Sequence, residues 1–144
     1  MEYRCMTETD IKDAAALYRD YYNGSEAGTW TMGTACKRIH QVWSREDAYC
    51  MVLHDGDEML AFAMGYFEQY DDCFAYDLVE LVVAAGHQKR GIGTAFMQVL
   101  EKHVKEKGAM LIQLEAVNDP FHEHFYGKLG YRTASNLVLK TKSL

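Results

Sequence analysis

The chain contains a single proline, Pro120, and no apolar run approaching membrane-spanning length. A helix needs about 20 consecutive apolar residues to cross a bilayer, so no membrane association is expected. Met1-Glu2-Tyr3-Arg4 lacks the apolar stretch of a secretion signal. The four cysteines, Cys5, Cys36, Cys50 and Cys73, are scattered, form no C-x-x-C pair and fit no nucleophile arrangement. Four thiols in a chain of this length suit a reducing compartment and need no disulfides, and together these features make the cytoplasm the expected location. Basic residues are outnumbered 15 to 21, giving a net charge of −6 and a pI of about 5.4. Such a balance argues against general binding to nucleic acid. There is no internal repeat and no low-complexity linker, and 144 residues make one domain, 1–144.

What is present is the composition of an ordinary soluble globular protein, 49% hydrophobic and 25% charged. Tyr3 to Met6 reads as a strand, and Asp10 as the cap of a helix carrying Ile11, Ala14, Ala15, Leu17, Tyr18, Tyr21 and Tyr22 on one side. Asn23 to Thr31 reads as a polar loop, and Gly33 to Arg45 as a second helix packing through Ile39, Val42 and Trp43. Tyr49–His54 and Met59–Gln69 form a hairpin about Asp55-Gly56; the second of these strands is apolar on both faces, which requires helices above and below the sheet. Phe74–Ala84 is the next strand. Ile92, Ala95, Phe96, Val99, Leu100, His103 and Val104 follow helical spacing, stopped by Gly108. Met110–Val117 is a strand, Asp119-Pro120 caps a helix over Phe121–Leu129, and Asn136–Thr141 reads as a last strand. The fold class is mixed, three-layer α/β, in the order β-α-α-β-β-β-α-β-α-β.

The chemistry concentrates where the strand Leu78–Val83 runs through Ala84-Ala85-Gly86-His87 into Gln88-Lys89-Arg90-Gly91-Ile92-Gly93-Thr94. Closely spaced glycines let the backbone approach a ligand. The following helix aims its free N–H groups and positive dipole end at the turn. Lys89 and Arg90 add full charges, so the segment is a local anion site. It is not a Walker A loop, since Ile92-Gly93 stand where Lys and a hydroxyl must be. It fits a Rossmann fingerprint poorly, since Phe96 takes the place of the third small residue and the turn is longer; Glu115 alone stands where a ribose-binding acid would.

Gln88-Lys89-Arg90-Gly91-Ile92-Gly93 does fit the Gln/Arg-x-x-Gly-x-Gly/Ala signature, and Phe125-Tyr126-Gly127-Lys128-Leu129-Gly130-Tyr131 supplies a second match downstream of Asn118. The chain thus resembles the GNAT superfamily of N-acetyltransferases. Two departures stand out: Ala85 replaces a common proline, and the interval from Asn118 to Tyr126 is one residue longer than usual. The resemblance implies acetyl-CoA as cosubstrate, with its pyrophosphate on Gln88, Lys89, Arg90, Gly91, Ile92, Gly93 and Thr94. Its pantetheine arm would pair with the exposed backbone of Leu81, Val82 and Val83, and Asn118 and Tyr126 would also face it. Members of the family often dimerise, so a homodimer is a possible assembly.

Acetyl transfer to an amine needs a neutral amine and a proton for the departing thiolate. Lysine-like amines, with a reference pKa of about 10.4, must therefore lose a proton first. Glu80, a carboxylate in an apolar run, is the candidate base or amine anchor, with Asp77 its competitor; the resemblance makes Tyr126 the candidate acid. Strand alternation puts Leu78, Glu80 and Val82 on one face and Val79, Leu81 and Val83 on the other. His122-Glu123-His124 suggests no metal, because histidines two apart on a helix diverge. Glu68, Asp71, Asp72, Asp77 and Glu80 would make an acidic mouth for a cationic amine, which Trp30, Tyr70 and Tyr22 could line. The expected activity is an acetyl-CoA-dependent N-acetyltransferase acting on a small-molecule or peptide amine by direct attack. A non-catalytic acyl-CoA-binding or sensory domain is the alternative.

Overall fold

Ala61, Phe62, Ala63 and Met64 are each fully buried. A strand whose side chains leave water on both faces must lie at the centre of a covered sheet, and the fold is built around it. The computed structural model describes residues 1–144, in the order β1 (Glu2–Cys5), α1 (Ile11–Ser25), α2 (Met32–Trp43), β2 (Ala48–Asp55), β3 (Glu58–Gln69), β4 (Phe74–Val83), α3 (Ile92–Glu106), β5 (Leu111–Leu114) and α4 (Pro120–Lys128). The five strands neighbour one another in chain order. β1 to β4 are antiparallel, and β5 joins β4 in parallel.

Two cores result, one on each face of the sheet. Ala14, Ala15 and Tyr18 of α1 and Ala35, Ile39 and Val42 of α2 pack on Val52, Phe62, Met64 and Val82. Ile92, Phe96, Met97, Leu100 and Val104 of α3 pack on the other face, against Met51, Leu53, Tyr76 and Leu78, joined by Phe125, Tyr126 and Leu129 of α4 and the residue that follows it. The mixed, three-layer α/β architecture expected from the sequence is therefore present. On α3 the stripe is turned slightly from its expected position: Met97 is buried and Ala95 is exposed. None of the helices is long and apolar enough to cross a membrane.

Two expectations fail. Asn136–Thr141 forms no strand, and every residue from Arg132 to Leu144 is exposed. Its β-forming residues pair with no strand of the sheet, and without cross-strand partners β propensity decides little. Asp10 holds the expected N-cap position of α1, but its side chain makes no capping hydrogen bond to that helix. Its carboxylate instead takes the Arg4 guanidinium at 2.7 and 2.8 Å and the Thr7 N–H at 2.7 Å, tying the entry of the helix to β1.

Candidate active site

The site forms where β4 loses its neighbour. β5 pairs only with Ala75–Leu78, so from Val79 to Val83 the strand keeps β3 on one edge and has no strand on the other. This length of β4 is irregular as well. Met64 pairs with Glu80 and Gly65 with Leu78, so Val79 is an extra residue, a β-bulge. The bulge overturns the expected alternation. Val79, Glu80 and Val82 face α1 and α2, whereas Leu78 joins Leu81 and Val83 on the α3 side.

Glu80 is 8% exposed and fully engaged on one oxygen. Oε1 accepts from the Tyr18 hydroxyl at 3.2 Å and the Arg38 guanidinium at 3.1 Å, and Oε2 accepts from the Tyr22 hydroxyl at 3.0 Å. One lone-pair direction on Oε2 is left over. α1 brings both tyrosines because positions 18 and 22 are a helical turn apart, on one face. Burial pushes the Tyr18 hydroxyl up to about 12, with the Glu80 charge adding to the shift. Tyr22 is raised further by the same two causes in the same order. Both phenols therefore stay protonated at neutral pH and act as donors.

Arg38 was not foreseen. A signal was present: Ala35, Arg38 and Val42 recur at helical spacing on the packing side of α2, so one cation interrupts an apolar stripe. Trp30 belongs to the same wall. Its ring meets Tyr18 edge-on at 4.8 Å, and Asn23 clamps its backbone through two 2.8 Å hydrogen bonds. The acidic mouth is correspondingly weaker than its residue list suggests, because Arg38 matches the charge of Glu80. Asp77 sits beside Glu68, whose carboxyl is pushed up chiefly by that neighbouring acid, and the buried Asp77 Oδ2 has no hydrogen-bond partner.

On the other side of the free edge stands α4. Asp119 caps it, accepting from the His122 N–H at 2.8 Å, and Pro120 opens it as expected. His122 Nδ1 is occupied by the same carboxylate at 2.7 Å. Tyr126 packs between Phe125 and Tyr131, at 4.9 and 5.7 Å between ring centroids. Burial pushes its hydroxyl up to about 12, followed by the charges of Glu80 and Tyr21. Asn118 is exposed in the turn before α4.

Beyond Val83 the chain turns through Ala85–His87 into the loop. Lys89 and Gly91 both take left-handed backbone, at φ 62° and 78°. For a lysine that conformation costs roughly 1 kcal/mol. Gly91 caps α3 without a side-chain bond, and the first-turn N–H groups of Ile92, Gly93 and Thr94 have no acceptor within the helix. A Cβ on Gly93 would lie 3.3 Å from the Phe125 ring, so glycine there brings α3 against α4. Gln88 turns back, donating to the Val83 carbonyl at 3.2 Å. Arg90 donates to His87 Nδ1 at 2.8 Å, which leaves the proton on Nε2 for Glu58 at 3.0 Å. The expected loop residues thus gather at one helix start, with Leu81 to Val83 on the free edge leading into it.

A strand that outruns its parallel neighbour, a bulge bearing a buried carboxylate, and a glycine loop opening a helix make one candidate site in a mixed α/β fold. Residues 46–133, more than half of the chain, match the family described as Acetyltransferase (GNAT) domain, and the protein belongs to that family of acetyltransferases. Among solved structures it is similar to a possible acetyltransferase from Clostridium difficile 630, with a TM-score of 0.85 at 14% identity, covering 99% of this chain and 97% of that one. It is also similar to a transcriptional regulator from Bacillus halodurans C-125 (TM-score 0.81, 20% identity, 99% of both chains). A ribosomal-protein-alanine N-acetyltransferase from Brucella melitensis biovar Abortus 2308 gives 0.77 at 14% identity, covering 99% of this chain and 100% of that one. At such identities the likeness establishes the fold alone. No curated protein sequence matches the chain significantly.

Proposed function

We propose that this single domain transfers an acetyl group from acetyl-CoA to a primary amine, by direct attack within a ternary complex. The observation that carries the reading is the bulge in β4. It turns Glu80 toward α1 and α2 while the adjoining backbone, Leu81 to Val83, presents an unpaired edge. The pantetheine amides would add to that edge as a strand, and an N–H there would polarise the thioester carbonyl. The pyrophosphate would meet the N–H groups of Gly91 to Thr94, with Lys89 and Arg90 supplying charge. Asn118, at the turn into α4, lies on the coenzyme side in the same reading.

The amine must reach the thioester neutral. Glu80 has one acceptor direction free, enough to anchor an ammonium or to take its proton through water. Attack on the carbonyl carbon forms the C–N bond, and collapse breaks the C–S bond. The proton lost by nitrogen balances the proton gained by sulfur. A hydroxyl at about 12 is a poor outright acid toward a thiol of reference pKa about 8.5, so Tyr126 serves as a hydrogen-bond donor to the developing thiolate. The acceptor enters between α1 and the turn at Tyr70, along the wall made by Tyr22, Trp30 and Arg38.

Thermal shift and turnover together test this. Acetyl-CoA and CoA at ~100 times their dissociation constants should stabilise the protein by ~2.7 kcal/mol, with ATP and NAD inert. Thiol release with a panel of amines should fall 10- to 100-fold in kcat for Tyr126→Phe and Glu80→Gln, with coenzyme binding unchanged. Binding that persists while neither substitution alters turnover would favour the non-catalytic coenzyme-binding reading. No shift with either coenzyme would overturn both.

A further inference from the structure

Glu80 has a counterion with donors to spare. Arg38 lies on α2 between the buried Ala35 and Val42, and its Nη2 donates to Glu80 Oε1 at 3.1 Å. The Glu80 side chain is 8% exposed but that of Arg38 is 37% exposed, so the carboxylate forms the floor of the cleft and the guanidinium its rim. A guanidinium carries a fork of N–H donors, more than one carboxylate oxygen can use. The Tyr18 hydroxyl lies near enough to take a second, and the remainder have no acceptor in the protein.

Hydrogen bonding of Glu80 does not require this group. The Tyr18 and Tyr22 hydroxyls already donate to its two oxygens, at 3.2 and 3.0 Å. What Arg38 adds is a positive charge beside the place where the amine must come. A simple ammonium is repelled by it, because like charges a few ångströms apart in a half-buried site are weakly screened. An anion carried next to the amine reverses the sign. It meets the fork of Arg38 while the nitrogen meets the free direction on Glu80 Oε2. The two charges of the site touch, so those of the ligand must be joined by a short carbon link. Tyr18 connects Tyr22 and Trp30, at 4.5 and 4.8 Å between ring centroids, into one aromatic surface for that carbon.

We propose that Arg38 selects the acceptor, a small zwitterion such as an α-amino acid, by binding the carboxylate next to the amine that is acetylated. The proposal rests on the acetyl-transfer reading and adds no step to it: the C–N bond forms, the C–S bond breaks and the proton balance is unchanged. It excludes the amino terminus of a peptide, where an amide replaces the carboxylate.

Thiol release from acetyl-CoA tests it, with a panel of L-amino acids, their carboxamides and the amines that lack the carboxylate altogether. kcat/KM should be at least ~10-fold higher for the acids, the worth of a hydrogen bond to a charged group. The comparison with carboxamides is stringent, since their less basic amines are neutral more often at pH 7. This wild-type comparison stands even if a variant fails to fold. Arg38→Met should bring the ratio close to unity, chiefly through KM, because a charge held alike before and during reaction contributes uniform binding. Arg38→Lys should keep part of the preference, having the charge without the fork. Carboxamides or simple amines that match the acids, or a ratio unmoved in Arg38→Met, would overturn the proposal and leave acetyl transfer standing. A thermal shift with CoA but no thiol release from any member of the panel would instead remove the catalytic reading, and the selection with it.

Discussion

Asp10 joins β1 to α1 through one carboxylate, and its chemistry dictates how acid should act on this protein. The bidentate Arg4 pair, opposed by burial and reinforced by the Thr7 hydrogen bonds, lowers it from 3.8 to about 2. A group depressed in the folded state stabilises it fully above its unfolded pKa, and that stability is lost as pH falls from about 3.8 through about 2. The Asp10 side chain is 7% exposed but Arg4 is 38% exposed, so water discounts the linkage to about 1–2 kcal/mol. Asp10→Asn should therefore cost about that much at pH 6, measured by urea unfolding. The two proteins should converge as the pH approaches 2. A gap that stays constant across this range would mean that the Arg4 pair contributes nothing.

At the scale of elements, the β3–β4 pair shows where sequence reading succeeds and where it stops. The burial of β3 on both faces was legible, because Met59 to Phe67 is apolar at every position but Gly65. So were the cap and proline of α4 and the glycine loop before α3. The bulge was not, because period-2 alternation assumes regular pairing, and the apolar residues around Glu80 look alike in either register. Gly65 was the hint. A Cβ there would lie 2.6 Å from Cζ of Tyr76, whose buried hydroxyl donates to the Tyr49 carbonyl at 2.7 Å. Gly65→Ala should push Tyr76 from that bond and strain the bulge, costing about 2–3 kcal/mol in urea unfolding. Its effect on acetyl transfer should exceed that of an equally destabilising change in α3, because the bulge aims Glu80. Equal losses of activity would show that Glu80 owes its position to α1 and α2 instead.

The whole molecule divides into a firmly paired half and an open one. β2, β3 and the start of β4 are paired on both edges and covered on both faces, so their amides should exchange only on global unfolding. The far end of β4 is covered by helices yet lacks a strand on one edge, and that asymmetry was invisible to a linear reading. The sequence marks strands, but how far two of them stay paired is a tertiary outcome that residue alternation does not record. Asn136–Thr141 failed for the complementary reason: it has the residues of a strand but no partner strand in the sheet. If the open end of β4 receives the coenzyme, acetyl-CoA should slow exchange at outward-facing amides within 79–83 and at Gly91 to Thr94, and leave β2 and β3 unchanged. Protection of the loop alone would mean that the pantetheine arm does not add to the strand, and Leu81 to Val83 would then drop out of the site. Protection at both would join the anion loop, the bulge and Tyr126 along one bound coenzyme, with Glu80 on the face left open to the amine.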